Sequence, residues 1–275
     1  MMFKKVAIIG TGLIGGSLAL AIKRKKLAAV IVGVSRRKST IDRAKKIGAI
    51  DRGSQDLNIA KGADLVIIAT PVSTMMKLSQ KLSTVVGPDC IVTDVGSTKE
   101  EIVSKLSKVF PNFVGAHPLA GSEKSGVTHA CPDIFSDSLC IVTPDRGTNK
   151  FSLKKVECLW KRLGARVIFM PASQHDRVVA LISHLPHAVA FSLIGSIPSQ
   201  CLKFAANGLK STTRIACSDP ELWSQIFISN KKNLLSSLEI FEKKIGQIKS
   251  AIKNSNAALL IKTLKDSQRK REILG

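Results

Sequence analysis

The stretch Val6-Ala-Ile-Ile-Gly-Thr-Gly-Leu-Ile-Gly-Gly-Ser-Leu-Ala-Leu-Ala21 decides how the whole chain is read. Four apolar residues, Val6 to Ile9, give a strand signal; Gly10-x-Gly12-x-x-Gly15 comes next, and an apolar helical run continues from it. This is the pattern of a dinucleotide-binding turn: Gly10 permits the tight exit from the strand, Gly12 lets backbone approach a pyrophosphate, and Gly15 lets helix and strand pack closely. The N-terminus of the helix presents N–H groups and the positive end of its dipole to the phosphates. Gly10, Gly12, Leu13, Ile14 and Gly15 are therefore expected to hold the cofactor. A basic start (Met1 to Lys5) before an apolar run also suits a secretion signal, but glycines interrupt the run and no small-residue cleavage site comes after it. No stretch is expected to reach the apolar length of a membrane span.

Working outward, strand and helix signals alternate. Val30–Val34 reads as a second strand and ends in Ser35-Arg36-Arg37-Lys38, with Ser35 falling 23 residues after Gly12. An Asp or Glu near that point would bond the ribose 2′-hydroxyl of NAD. Here a serine and two arginines stand instead, which favours a 2′-phosphate and hence NADP. Helical signal covers 40–47, then a buried strand over 63–69 closed by Thr70-Pro71, a helix over 72–86 and a strand over 90–94. In such a doubly wound, mostly parallel sheet the ligand crevice lies at the carboxyl ends of the strands, so Thr70, Pro71 and the turn after Asp94 belong to it. Ser97-x-x-Glu100 has the form of a capping box, which makes Ser97 an expected N-cap as well as a crevice residue. Phe113-Val-Gly-Ala-His117-Pro118 reads as another strand ending in a turn that carries His117, a candidate general base. Strands over 138–144 and 165–170 complete the signals, with a helix over 153–163 between them. The expected division is a Rossmann domain over 1–170 and an all-helical domain over 171–275.

The second half opens on one long apolar helix over 175–197. At about 100° per residue, Ser183 and His187 fall about 80° and 120° from His175, whereas His184 falls about 180° away. His175, Ser183 and His187 are thus expected on one face and His184 elsewhere, with a kink at Pro186. Asp219 or Ser218 caps a later helix whose first turn holds Pro220. Arg214 is a planar fork suited to a carboxylate. His184 and His187 lie three apart, but no third ligand completes a set at metal spacing, so no metal is expected.

Composition sets broader limits. Of 275 residues, 44% are hydrophobic, enough for a substantial core. Six cysteines form no Cys-x-x-Cys pair, which suits a reducing compartment: the cytoplasm, or a plastid-like compartment if a transit peptide has been removed. Lys and Arg number 42 against 20 Asp and Glu, a formal charge of +22. The basic residues are spread along the chain, and aromatics make up only 4%, without tyrosine. Attraction of an anionic cofactor and substrate accounts for that charge better than nucleic acid, which needs a patch and stacking platforms. A non-catalytic NADP sensor or nucleic-acid binder is the alternative from another class.

Five ordered segments carry a resemblance: GTGLIGGS at 10–17, DVGSTK at 94–99, GAHPLAGSE at 115–123, HDRVVALISHLPH at 175–187 and TTRIACSDPELW at 212–223. The chain resembles the prephenate/arogenate dehydrogenase family of tyrosine biosynthesis almost end to end. That resemblance implies a Rossmann domain, then a helical domain that forms a homodimer. It implies oxidative decarboxylation of a cyclohexadienol, with His117 as proton acceptor and Ser97 orienting the ring hydroxyl. His175, Ser183 and His187 would line the substrate pocket, Arg214 would bind a substrate carboxylate, Glu123 would sit near the mouth and Trp223 would wall it. Ser35 with Arg36 and Arg37, in place of an acidic residue, points to NADP. Lys210 stands where an arginine is common. NADP preference without further domains resembles the arogenate branch, with prephenate as the alternative substrate; Glu221 is a candidate partner for the amino group of arogenate.

Overall fold

The computed structural model describes residues 1–122 and 124–275. The chain opens with β1 (Phe3–Ile9), α1 (Leu13–Arg24), β2 (Ala28–Val34), α2 (Lys38–Lys46) and the short β3 (Arg52–Ser54). Next come β4 (Leu65–Ile68), α3 (Val72–Ser83), β5 (Ile91–Asp94), α4 (Glu100–Leu106) and β6 (Phe113–Pro118). β7 (Leu139–Thr143), α5 (Lys150–Arg162) and β8 (Arg166–Phe169) end the sheet. The eight strands lie in the order β3-β2-β1-β4-β5-β6-β7-β8, all pairs parallel except β6 with β7. The first six strands have the doubly wound order that puts a switch point between β1 and β4.

Period-two burial builds this sheet. Val6 and Ile8 of β1 face one apolar layer with Leu18, Ile22 and Trp160. Ala7 and Ile9 face the other, with Met75, Leu82 and Phe110. All four residues of β4 and all four of β5 are buried, as parallel strands covered on both faces require. Gly10 sits at φ +100, and a Cβ there would lie 2.5 Å from the Ala69 carbonyl oxygen; a Cβ on Gly15 would lie 2.0 Å from that of Gly10. Only glycine closes this turn.

Beyond the sheet, α6 (Ala172–Val179) runs into a π-helical turn, Ala180–His184, and then α7 (Leu185–Gly195). Pro186 has no N–H to close the ordinary bond to the carbonyl four residues back, and the π turn absorbs that loss. After α8 (Asn207–Thr213) and a 3₁₀ turn (Arg214–Cys217), α9 (Pro220–Ser229) begins with Asp219 as N-cap, its carboxylate accepting the Glu221 N–H at 2.9 Å. Met1–Asn230 form one compact unit. The second, Lys231–Gly275, consists of α10 (Lys231–Lys253) and α11 (Ala257–Glu272).

The run Ala172–Gly195, with mean hydropathy 1.7, is long and apolar enough to cross a membrane by length and composition, contrary to the expectation from sequence. A window average merges the faces of a helix. The inward face here holds buried His175, Asp176 and His184, while Leu181 and Ile182 face outward at 49% and 58% exposure.

Candidate active site

Several crevice elements meet at the carboxyl ends of the parallel strands. At the glycine turn, α1 starts at Leu13 with Gly12 as N-cap, no side-chain cap and no acidic residue in its first turn. A Cβ on Gly12 would meet nothing within 4 Å. The hydroxyls of Thr11, Thr70 and Thr98, beside the ends of β1, β4 and β5, are buried with no hydrogen-bond partner among the described residues. An open helix N-terminus and three orphaned hydroxyls are what a dinucleotide would occupy and satisfy. At the end of β2, Ser35 is half-buried while Arg36 and Arg37 are exposed.

The chemical centre is built from β5, β6 and α6. Asp94 at the end of β5 accepts the Gly96 N–H at 2.7 Å and the Ala116 N–H of β6 at 3.2 Å, and pairs with the Lys99 ammonium. Both side chains of that ion pair are 0% exposed. Burial pushes the Lys99 ammonium below the ordinary lysine value, with Asp94 opposing the shift. Asp176 on α6 accepts the Lys99 and Glu100 backbone N–H groups at 2.7 and 3.0 Å. It thereby caps α4 from another element. The capping box expected at Ser97 does not form: Lys99 is the cap residue, and the carboxylate that serves it comes from 77 positions along the chain.

His117 is a second correction. It lies within β6, paired opposite Ile141 of β7, rather than in a turn. That pairing fixes its backbone and leaves it 8% exposed. Its Nδ1 lies 2.8 Å from His175 Nε2, and His175 Nδ1 lies 2.7 Å from Asp176 Oδ1. Burial, then the charges of His175, Lys99 and His184, hold His117 well below the usual histidine range. Burial lowers His175 too, against the pull of Asp176. Burial opposes ionisation of Asp176, but hydrogen bonds from His175 and the Glu100 and Lys99 amides hold its carboxyl below the usual value.

The opposite wall comes from the helices. His187 stacks on Trp223 with ring centroids 3.4 Å apart and planes 19° apart. Its Nδ1–H donates to the Ser183 carbonyl at 2.9 Å. Burial lowers the His187 pKa, and the charge of Arg214 adds to that effect. Arg214 is exposed on its 3₁₀ turn, Trp223 and Ser183 are half-buried, and Glu123 lies outside the described residues.

His184 overturns the helical-wheel expectation. It is buried in this same cluster, 3.1 Å from the Asn230 side-chain amide and edge-on to Trp223 at 6.1 Å. The extra residue in the π turn rotates the downstream helix by about 100° relative to an unbroken one. Asp94, Lys99, Asp176 and Asn230 are site residues that sequence reasoning missed. Asp94-x-x-x-x-Lys99 at a strand end was the one visible signal, because two opposite charges beside an apolar strand need each other if buried. Among the described residues, no group of three or more His, Cys, Asp or Glu side chains is arranged to hold a metal ion.

The sheet order, the glycine turn and the buried histidine chain define a dehydrogenase that uses a nicotinamide dinucleotide. Comparison with known proteins narrows the class. Residues 18–169 match the family model for the nucleotide-binding domain of prephenate dehydrogenase, and residues 171–266 match its dimerization domain. A prephenate dehydrogenase of Bacillus subtilis is 35% identical over 96% of this chain and 74% of its own length. A cyclohexadienyl dehydrogenase of Zymomonas mobilis is 32% identical over 98% of this chain and 96% of its own. Among solved structures, A. aeolicus prephenate dehydrogenase, determined with hydroxyphenyl propionate and NAD+, superposes with a TM-score of 0.94 at 35% identity, covering 100% of this chain and 99% of that one. Synechocystis arogenate dehydrogenase gives 0.83 at 29% identity, covering 98% and 100%. The chain belongs to the prephenate dehydrogenase family.

Proposed function

We propose that this chain catalyses the oxidative decarboxylation of arogenate to tyrosine, using NADP. The observation that carries the chemistry is the bond between His117 Nδ1 and His175 Nε2. It engages one ring nitrogen, and among the described residues Nε2 makes no hydrogen bond. A buried, uncharged imidazole with one nitrogen open is a general base. A nicotinamide dinucleotide held at the Gly10–Gly15 turn would supply the acceptor for the hydride that leaves ring C4 of the cyclohexadienol. His117 Nε2 takes the proton of the 4-hydroxyl as that carbon is oxidised, and Ser97 orients the hydroxyl. Loss of carbon dioxide then restores aromaticity and makes the step irreversible. Arg214 holds a substrate carboxylate, and His175, Ser183, His187, Trp223 and Glu123 shape the pocket. Preorganised charge and orientation are the contributions of the protein.

Residues 1–170 serve the cofactor and 171–275 the substrate and a homodimer, in a cytoplasmic enzyme. The exposed apolar residues Leu181 and Ile182 suit such a pairing. For NADP, the support is the absence of a carboxylate at Ser35 and the exposed Arg36 and Arg37 beside it. For arogenate, it is the likeness to the Synechocystis enzyme. Prephenate is the second reading, favoured by the A. aeolicus likeness. Initial rates with each acid and each cofactor test all of this. Turnover confined to arogenate with NADP is expected; faster turnover of prephenate would overturn the substrate assignment, and no turnover with any pair would overturn the activity.

A further inference from the structure

We propose that Asp176 is the positioning residue of the site: through His175 it fixes the tautomer of His117, and through the Lys99 and Glu100 amides it fixes the turn that carries Ser97. The proposal rests on His117 being the base, and it explains why that base works through Nε2.

The direction of each hydrogen bond is set by the donor inventory. A carboxylate accepts only, so the proton between Asp176 and His175 sits on His175 Nδ1. His175 is neutral, so its Nε2 carries a lone pair. The 2.8 Å contact then requires His117 Nδ1 to be the donor. A neutral His117 with its proton on Nδ1 has its lone pair on Nε2, the nitrogen that must receive the substrate proton. As His117 becomes an imidazolium, Asp176 faces the new charge through one intervening ring, in a buried setting where charge interactions are strong. Removing the carboxylate leaves both rings free to adopt the other tautomer, with Nε2 protonated and useless as an acceptor.

The second arm has the same origin. Asp176 Oδ1 accepts both His175 Nδ1–H and the Lys99 N–H, and Oδ2 accepts the Glu100 N–H. Ser97 lies two residues before Lys99. One carboxylate thus fixes the base and the hydroxyl-bearing turn relative to each other, which orientation catalysis demands.

Two variants separate the arms. His175→Asn keeps a side-chain amide that reaches Asp176, so the cap on α4 persists, but nothing then reaches His117. Its kcat is expected to fall about 10²-fold, with KM for both substrates within about 3-fold and an unchanged melting temperature. Asp176→Asn is expected to lose at least as much kcat and to melt lower, because the cap is weakened. A kcat near that of the wild type in a folded His175→Asn enzyme would overturn the proposal, whether or not Asp176→Asn folds. The wild-type protein supplies a readout free of turnover. With 15N-labelled histidine, and with His117→Asn to assign the signal, His117 is expected to show a protonated Nδ1 and an unprotonated Nε2. The reverse tautomer would overturn the proposal while leaving the activity intact. The expected tautomer in a protein that turns over neither acid would keep the proposal and sink the activity.

Discussion

The two walls of the site are built on opposite principles. On the β5–β6–α6 wall, Asp94, Lys99, His117, His175 and Asp176 are at most 8% exposed, and each is bonded to a group from another element. On the helical wall, Arg214, His187 and Trp223 keep partial access to solvent, carried on short helices and a 3₁₀ turn. The first wall gives up adaptability for fixed orientation. The second keeps a guanidinium and a stacked ring pair near solvent, where a charged substrate must arrive. Proton transfer needs atoms held to a fraction of an ångström, whereas recognition of a carboxylate tolerates some adjustment.

The contrast can be broken from either side. The largest effect belongs to the base: His117→Asn is expected to lower kcat by about 10³-fold or more while cofactor affinity, by titration, changes little. Full activity would remove His117 from the chemistry. Next is the buried pair. Lys99→Ala leaves the Asp94 carboxylate uncompensated and should cost about 3–5 kcal/mol in urea unfolding. Lys23→Ala, which breaks the exposed pair with Asp51 (side chains 45% and 35% exposed), should cost less than about 1 kcal/mol. Equal losses would show that burial does not distinguish them.

On the open wall, Arg214→Ala should raise the substrate KM about 10- to 100-fold with a smaller change in kcat, the cost of one charge-assisted contact. A pure kcat loss would move Arg214 to the chemical wall. Ser35→Asp with Arg36→Ala should shift the NADP-to-NAD ratio of kcat/KM about 10-fold toward NAD. An unchanged ratio would refute the reading of that loop. The smallest effect is on pH dependence. Only neutral His117 accepts a proton, and its pKa lies well below 6.5, so kcat/KM should hold constant as pH falls through 6.5 and decline only below it. His184, neutral in the fold down to about pH 4, contributes stability that is full above 6.5 and lost as pH falls toward 4. Melting temperatures across that window check the sign.

Much of the cofactor half is legible in the sequence. Gly10, Gly12 and Gly15 occupy fixed offsets between a strand and a helix; local sterics demand glycine at positions 10 and 15, and Gly12 leaves open space beside the start of the helix. The alternation of short apolar runs with helical signals, together with right-handed crossovers, leaves few topologies. The long helical run after residue 171 and the Asp219 cap are legible for the same reason. His184 is not, because an angle taken along an unbroken helix cannot anticipate where a π turn absorbs the missing N–H of Pro186. Ser97 is not a cap because the pattern Ser-x-x-Glu scores only local partners, and the Asp176 carboxylate outcompetes them from across the fold.

The sequence by itself determined the doubly wound sheet, the dinucleotide turn and the identity of the candidate base, because these depend on short-range sterics, periodicity and residue chemistry. Tertiary structure alone decided that His117 sits in a strand held by β7, that Asp94 and Lys99 share a dry interior, and that Asp176 joins His175 to the N-terminus of α4. Those are pairings between residues as many as 77 positions apart. Hydrogen bonds and ion pairs act over a few ångströms of space, and only folding sets which distant residues come that close.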